Sequence, residues 1–438
     1  MTPPIPVDGP FRIVDARLPA CLVDGLTADI EVWDGLVPAD LTIDGGRIRR
    51  VDAGRHAAAD EAALPVVDLD GGMVWPTCAD LHTHLDNAQT WSRAPNPTGS
   101  WVDALKVVEQ DREAHWTVDD ISRRMDFALR CAWTHGTSAV RTHLDSLEVQ
   151  REVSWAAFAQ VRDRWQGRVE LQGVSLVLPF RYAGAGGVEL ADLVARHGGL
   201  LGGIIVDDPD PAPAVERIFE LAHERDLDID LHVDESGDPR SNGLDAVVDA
   251  TLRFGWEGRV TVGHCCSLAV RDAAEAAHTI ERTAKAGIAV VSLPMCNLYL
   301  QDRRSGAATP RWRGVTLVQE LDAAGVRVAL ASDDMRDAFY AFGDLDPVEV
   351  FTQSVRIAQL DHRMGHWVRA VTSTPAAVMG VSGGGRLRPG GQADLILFGA
   401  RDWWELAARP TGPRTVLRAG RPLSAALPDF RELDLLAG

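Results

Sequence analysis

Hydrophobic positions along this chain change their spacing twice. Between residue 11 and about 75 they alternate in short runs: Phe11-Arg-Ile-Val-Asp15, Ala39-Asp-Leu-Thr-Ile-Asp44 and Gly45-Gly-Arg-Ile-Arg-Arg-Val-Asp52. A period of two is that of strands with one buried face. Asp44-Gly45-Gly46, between two such runs, predicts a hairpin, because tight hairpin turns need the positive φ that glycine adopts cheaply. From about 76 to 380, short apolar runs alternate with Ala/Arg/Glu-rich segments of helical spacing, such as 119–135 and 212–225. Past 380 the strand-like runs return, in Gly390-Gly-Gln-Ala-Asp-Leu-Ile-Leu-Phe398 and Arg414-Thr-Val-Leu-Arg-Ala-Gly-Arg-Pro422.

In the middle region, predicted strands end at His84, His143, Ser175, Ile205, His232, His264, Ser292 and Ser332, with gaps of 59, 32, 30, 27, 32, 28 and 40 residues. Most gaps fit one strand-plus-helix crossover. Eight strands alternating with helices predict an α/β fold of the closed (β/α)8, TIM-type barrel class. A doubly wound open sheet is the alternative, but no Gly-rich phosphate loop follows the first strand. The expected organisation is a small β domain built from both chain termini, 1–75 and 381–438, with the barrel at 76–380 inserted between them.

Polar residues interrupt the apolar strands where such a barrel carries its chemistry, at the C-terminal strand ends. His82 and His84 lie two apart, so on an extended strand both imidazoles face one side, with Asp80 and Asp86 near enough to orient them. His143 ends the second strand, His232 the fifth, with Glu235 three residues on, and His264 the sixth. Asp333-Asp334 follows the eighth. Singly, each has an ordinary structural reading: a hydrogen-bonded histidine, a solvated carboxylate, an Asp pair capping a helix. Five such strand ends together point to a metal. Three neutral imidazoles and a carboxylate suit a divalent ion, Zn2+ or Fe2+, with one position left for water. Hydrolysis at a ring carbon also needs a base and an acid, for which Asp333, His264 and Glu235 are the candidates. The other histidines, His56 among them, fall in predicted helices or loops.

Composition narrows the partners. The chain has 438 residues, 46% of them hydrophobic, and a formal net charge of −19. That charge disfavours nucleic acid and anionic membranes and suits a small neutral or cationic substrate. No apolar run is long enough to span a bilayer. The first ten residues show neither a basic n-region nor an apolar h-region, so no signal peptide is expected. Six cysteines with no CxxC pair suggest reduced thiols and a cytoplasmic location. Trp403-Trp404 is a candidate contact in a homo-oligomer.

The ordered set of motifs resembles the amidohydrolase superfamily, and within it the cytosine deaminase-like branch. The set comprises His82-Thr-His-Leu-Asp-Asn-Ala-Gln-Thr90, Arg141-Thr-His-Leu-Asp145, His232-Val-Asp-Glu235, Val260-Thr-Val-Gly-His264, Asn297-Leu-Tyr-Leu-Gln301 with Arg311-Trp-Arg-Gly314, and Ser332-Asp-Asp334 leading to Phe339-Tyr-Ala-Phe-Gly343. The resemblance implies His82, His84, His232 and Asp333 as ligands of one Fe2+ or Zn2+. It implies Glu235 as proton shuttle and His264 as the group polarising the hydrolytic water. Gln89 and Asp334 become pocket residues, and Phe339 an aromatic against the substrate ring. The fourth strand offers no lysine to bridge a second metal. Where cytosine deaminases of this type carry a glutamine after a proline past the third strand, this chain has Phe180, which cannot hydrogen-bond a pyrimidine amide. The expected activity is hydrolytic deamination of a small nitrogen heterocycle, cytosine or a close analogue. Hydrolysis of an N-alkylamino heterocycle or cyclic amide is the alternative, and a non-catalytic ligand-binding barrel is the remote one.

Overall fold

A computed structural model describes residues 4–26, 32–54, 64–206, 208–304 and 308–436; His56 lies outside these. The chain divides into two compact units. The first comprises Met1–Ala79, Cys131–Ala139 and Asp346–Leu427, and the second Asp80–Arg130, Val140–Leu345 and Pro428–Gly438.

The first unit opens with strands β1 (Phe11–Pro19), β2 (Leu36–Asp44), β3 (Arg47–Ala53), β4 (Val66–Asp68) and β5 (Val74–Pro76). The expected hairpin is present: β2 and β3 pair antiparallel around Gly45-Gly46, and both glycines have positive φ. The first four strands form one sheet in the order β3-β2-β1-β4.

The barrel strands are β6 (Cys78–Thr83), β7 (Thr137–Asp145), β8 (Glu170–Leu176), β9 (Leu201–Ile205), β10 (Ile229–Val233), β11 (Val260–His264), β12 (Ala289–Ser292) and β13 (Arg327–Leu330). Helices separate them: α1 (Trp101–His115) and α2 (Val118–His135) after β6, then α3 (Glu148–Trp165), α4 (Gly184–Arg196), α5 (Ala212–Arg225), α6 (Gly243–Phe254), α7 (Ala273–Lys285), α8 (Pro294–Leu300) and α9 (Val318–Ala323). Strands β9 to β13 pair in parallel, one after the next, and β6, β7 and β8 form a second sheet. Two parallel bridges complete the ring, Val174 to Leu200 and Thr83 to Asp333. At the second, the Asp333 N–H donates to the His82 carbonyl (2.9 Å) and the His84 N–H to the Asp333 carbonyl (3.2 Å). Every residue of β6, β10, β11 and β12 is buried, as strands covered on both faces must be. This is the (β/α)8 barrel that the alternation predicts.

The first unit resumes with α10 (Pro347–Ala358), β14 (Leu395–Phe398), β15 (Arg414–Arg418) and β16 (Arg421–Pro422). Strand β14 pairs antiparallel with β5, Ile396 opposite Trp75, in a sheet ordered β16-β15-β14-β5. The two chain ends thus build one β structure, sharing a core that includes Phe11, Ile13, Leu41, Ile48, Leu395 and Leu417. Its borders depart from the expected 75 and 380. Residues from Asp346 onward belong to this unit, because Phe351 of α10 packs edge-on against Trp75 (5.4 Å between ring centres) and near Trp403 (5.9 Å). Residues from Pro428 onward belong with the barrel, where Phe430 meets Phe127 at 5.7 Å and Glu432 pairs with Arg130 at 2.7 Å. Helical periodicity shows that a face is buried, not against which partner. Among the described residues, no helix is long and apolar enough to cross a membrane, and no disulfide joins any of the six cysteines.

Candidate metal centre

Strand β6 delivers His82 from its buried interior, and His84 from the first residue past its end. Strand β10 delivers His232, and the segment after β13 delivers Asp333. Their ligand atoms converge. The Nε2 atoms of His82 and His232 are 3.1 Å apart, and those of His232 and His84 3.2 Å. Asp333 Oδ1 lies 3.4 Å from His82 Nε2 and 3.3 Å from His84 Nε2. Four donors about 2.0–2.1 Å from a common tetrahedral centre would stand about 3.3 Å from one another. Both Asp333 carboxylate oxygens are buried without a hydrogen-bond partner, a costly state unless something else binds them. The residues therefore fit a divalent ion.

The electrostatics of His232 and Asp333 agree with that use, whereas His84 would have to give up its proton to an ion. Burial, reinforced by the neighbouring imidazoles, holds His232 well below the usual histidine range, leaving it in the neutral form that ligates metals. Burial opposes charge on both Asp333 and His84. On Asp333 it is outweighed by His264, then His82 and His84, so the carboxyl stays well below its usual range, while Asp333 in turn raises His84. Burial pushes His264 down to about 3. Glu235 goes the other way, raised well above the carboxylate range by burial and by Asp333. Asp334 is raised well above its range too, by burial and then by Asp337 and Asp333, and Cys296 Sγ lies 3.4 Å from its Oδ2.

Local backbone aims these groups. Asp333 (φ 67°), His264 (φ 70°) and Asp234 (φ 51°) occupy the left-handed region, which non-glycine residues keep only where their surroundings hold them. Asp234 is held by accepting hydrogen bonds from the Gly243 and Leu244 N–H groups at the start of α6 (2.9 and 3.0 Å). The chain turns there, and Glu235 follows with its side chain 6% exposed and its Oε1 3.4 Å from His264 Nδ1.

A cavity of about 290 Å³ opens over the cluster. Its lining includes the polar His84, His232, Glu235, His264, Asp333 and Asp334, with Glu109 and Arg112 of α1, and the apolar Trp101, Leu105 and Val108 of α1, with Leu178, Leu300 and Phe339. Two expected pocket residues do not join it. Phe180 sits on a short 3-10 turn, Pro179–Tyr182, that directs Leu178 and Arg181 to the cavity and buries Tyr182 against Ser175. The Phe180 ring is 62% exposed, under the Arg181 guanidinium. Gln89 is buried beside the cavity, its Oε1 accepting from Arg336 Nε (3.2 Å).

Two contributors, α1 and Asn297, are not among the sequence-based expectations, and a third residue, His143, takes a different place from the one its strand end suggests. Helix α1 forms one wall and occupies the 59-residue gap between the first two strand ends, whose unusual length was its signal. Asn297 stands in a quoted motif but was assigned no role; its Nδ2 donates to Glu235 Oε1 (3.1 Å) and lies 3.0 Å from His264 Nδ1. His143, fully buried, has its ring centre 4.1 Å from that of His82, tilted against it, and forms a second group with His82 and Asp230.

Comparison with known proteins agrees with this geometry. The model of the amidohydrolase family matches residues 190–423. A pterin deaminase of Rhizobium rhizogenes is 48% identical over 429 residues, 98% of this chain and 97% of that protein. The N-isopropylammelide isopropyl amidohydrolase of a Pseudomonas species is 24% identical over 378 residues, covering 82% of this chain and 87% of the relative. Among solved structures, 5-methylcytosine deaminase of Klebsiella pneumoniae superposes with a TM-score of 0.78 at 24% identity, over 95% of this chain and 98% of the other. With three imidazoles and a carboxylate gathered at the barrel mouth, and a relative of nearly half-identical sequence along almost its whole length, this chain belongs to the amidohydrolase family of carbon–nitrogen bond hydrolases.

Proposed function

We propose that this protein is a mononuclear metal-dependent deaminase of pterin-type rings, turning pterin and water into lumazine and ammonia. The 48% identity with a pterin deaminase over 98% of the chain carries this reading. The apolar side chains that α1 adds to the cavity lining, Trp101, Leu105 and Val108, suit the flat face of a fused-ring substrate. Cytosine, the ring suggested by the barrel motifs, presents the same exocyclic amine on an amidine carbon and is the natural rival.

The residues divide the work. A divalent ion held by His82, His84, His232 and Asp333 would lower the pKa of a water molecule so that hydroxide is available near neutral pH. Glu235 takes the proton of the attacking water and delivers it to the ring nitrogen beside the target carbon. His264, neutral and with no protein partner on Nε2, donates a hydrogen bond to the attacking oxygen. Asp333 accepts the second proton from that oxygen and passes it to the departing amine. A C–O bond forms, the C–N bond breaks, and nitrogen leaves as ammonia.

Ammonia release by metal-analysed protein, from pterin, cytosine and N-isopropylammelide in parallel, tests the substrate. A kcat/KM on pterin at least about 100-fold above that on cytosine is expected, a margin typical of a site that reads specific polar groups. Faster release from cytosine, or isopropylamine in place of ammonia, would overturn the reading.

A further inference from the structure

Glu235 and His264 are joined by a third side chain. Asn297, fully buried on α8 and outside the cavity lining, sends one atom, Nδ2, to both: 3.1 Å to Glu235 Oε1 and 3.0 Å to His264 Nδ1. The direct separation between those two partners is longer, 3.4 Å. We propose that Asn297 is a positioning residue that fixes the tautomer of His264, with Nδ1 as acceptor and the proton on Nε2, and holds Glu235 as the carboxylate. The inference rests on the roles proposed above for Glu235 and His264.

The reasoning is one of hydrogen-bond supply. A carboxamide NH2 has two hydrogens and can donate to two acceptors at once. If it does, His264 Nδ1 offers a lone pair, and a neutral imidazole must then carry its proton on Nε2. That is the nitrogen left without a protein partner, and as an N–H it can donate to the attacking oxygen. Turning the amide over would present Oδ1 to both neighbours. His264 would then hold its proton on Nδ1, aiming a lone pair at an oxygen that itself brings lone pairs, and Glu235 would have to be protonated. The two orientations also differ in what they strand. In the observed one the Asn297 carbonyl oxygen has no partner; in the other it would be the NH2 group. Buried unpaired N–H donors are rarer than buried under-used carbonyls.

Asn297→Asp replaces the amide by a near-isosteric carboxylate that can only accept. It should force the His264 proton onto Nδ1 and repel Glu235. Asn297→Leu keeps the volume and removes both hydrogen bonds. In zinc-loaded protein with 15N-labelled histidine, His264, identified by its loss in His264→Gln, should show a protonated Nε2 in the native chain and a protonated Nδ1 in Asn297→Asp. Both variants should keep their zinc and lose about 100-fold or more in kcat, with KM changed far less. A protonated Nδ1 in the native protein, or the same tautomer in native and Asn297→Asp, would overturn the proposal. The tautomer is read without substrate, so a protein that ignored pterin would sink the substrate reading and leave this one standing or falling separately.

Discussion

His232 and Glu235 lie three residues apart, yet burial acts on them in opposite senses because their charged forms carry opposite sign. The imidazole is kept neutral and the carboxyl is kept from ionising easily. Removing His232 deletes a ligand, so His232→Ala should lose both metal and turnover; full metal occupancy by elemental analysis would contradict its place in the centre. Glu235→Gln should keep the metal and lose turnover by about 100- to 10,000-fold, the usual worth of a positioned acid–base group. The direction of the Glu235 shift also sets a pH dependence. Only the carboxylate can accept the water's proton. A raised pKa means that this form appears at higher pH than for an ordinary glutamate, so kcat/KM should fall on the acid side at pH values well above 4.5. An acid limb at the ordinary glutamate value would exclude Glu235 as its source.

Elements place these residues, and one strand position shows how tightly. Gly263 of β11 pairs with His232 in register, and a Cβ there would come 2.8 Å from Cε1 and 3.0 Å from Nδ1 of His82. Neither atom can retreat, since the His82 ring is fully buried. Gly263→Ala should therefore tilt a ligand and weaken metal binding by about 10- to 100-fold, the range seen when groups supporting a ligand are changed. Competition against a chelator measures it, and native affinity would mean the ring has room to move. The strand ends were legible because histidines and carboxylates recur where apolar-rich runs stop, although Asp80, Arg141 and Asp230 show that the strand interiors also carry charge. The resemblance puts Phe180 at the pocket, but the 3-10 turn after β8, which no strand periodicity describes, brings its neighbours Leu178 and Arg181 to the cavity instead.

For the whole molecule, an ion held by these four residues would link the ends of β6 and β10 with the segment that follows β13, pieces far apart in sequence. A ligand that binds the folded state alone stabilises it by about 4 kcal/mol at a thousandfold excess over its Kd. Dialysis against a chelator should lower the melting temperature by several degrees, and restoring Zn2+ or Fe2+ should recover it. A melting temperature indifferent to both would mean that the four residues do not hold an ion. The division into units was only partly legible. The pairing of the chain ends followed from strand-like runs at both termini, but the attachment of α10 to the first unit depends on Phe351 meeting Trp75.

The sequence by itself determined the order of elements, the barrel, and the candidates for metal and proton chemistry, because each follows from local periodicity or from residue type at a strand end. It also held the resemblance that named the family of reactions. Only the tertiary structure decided which candidates meet. It brought four ligand atoms to within 3.4 Å of their neighbours, set His143 between His82 and Asp230, turned Phe180 outward, and seated Asn297 between Glu235 and His264. Contacts of that kind join residues tens to hundreds of positions apart, and neither periodicity nor composition carries information at that range.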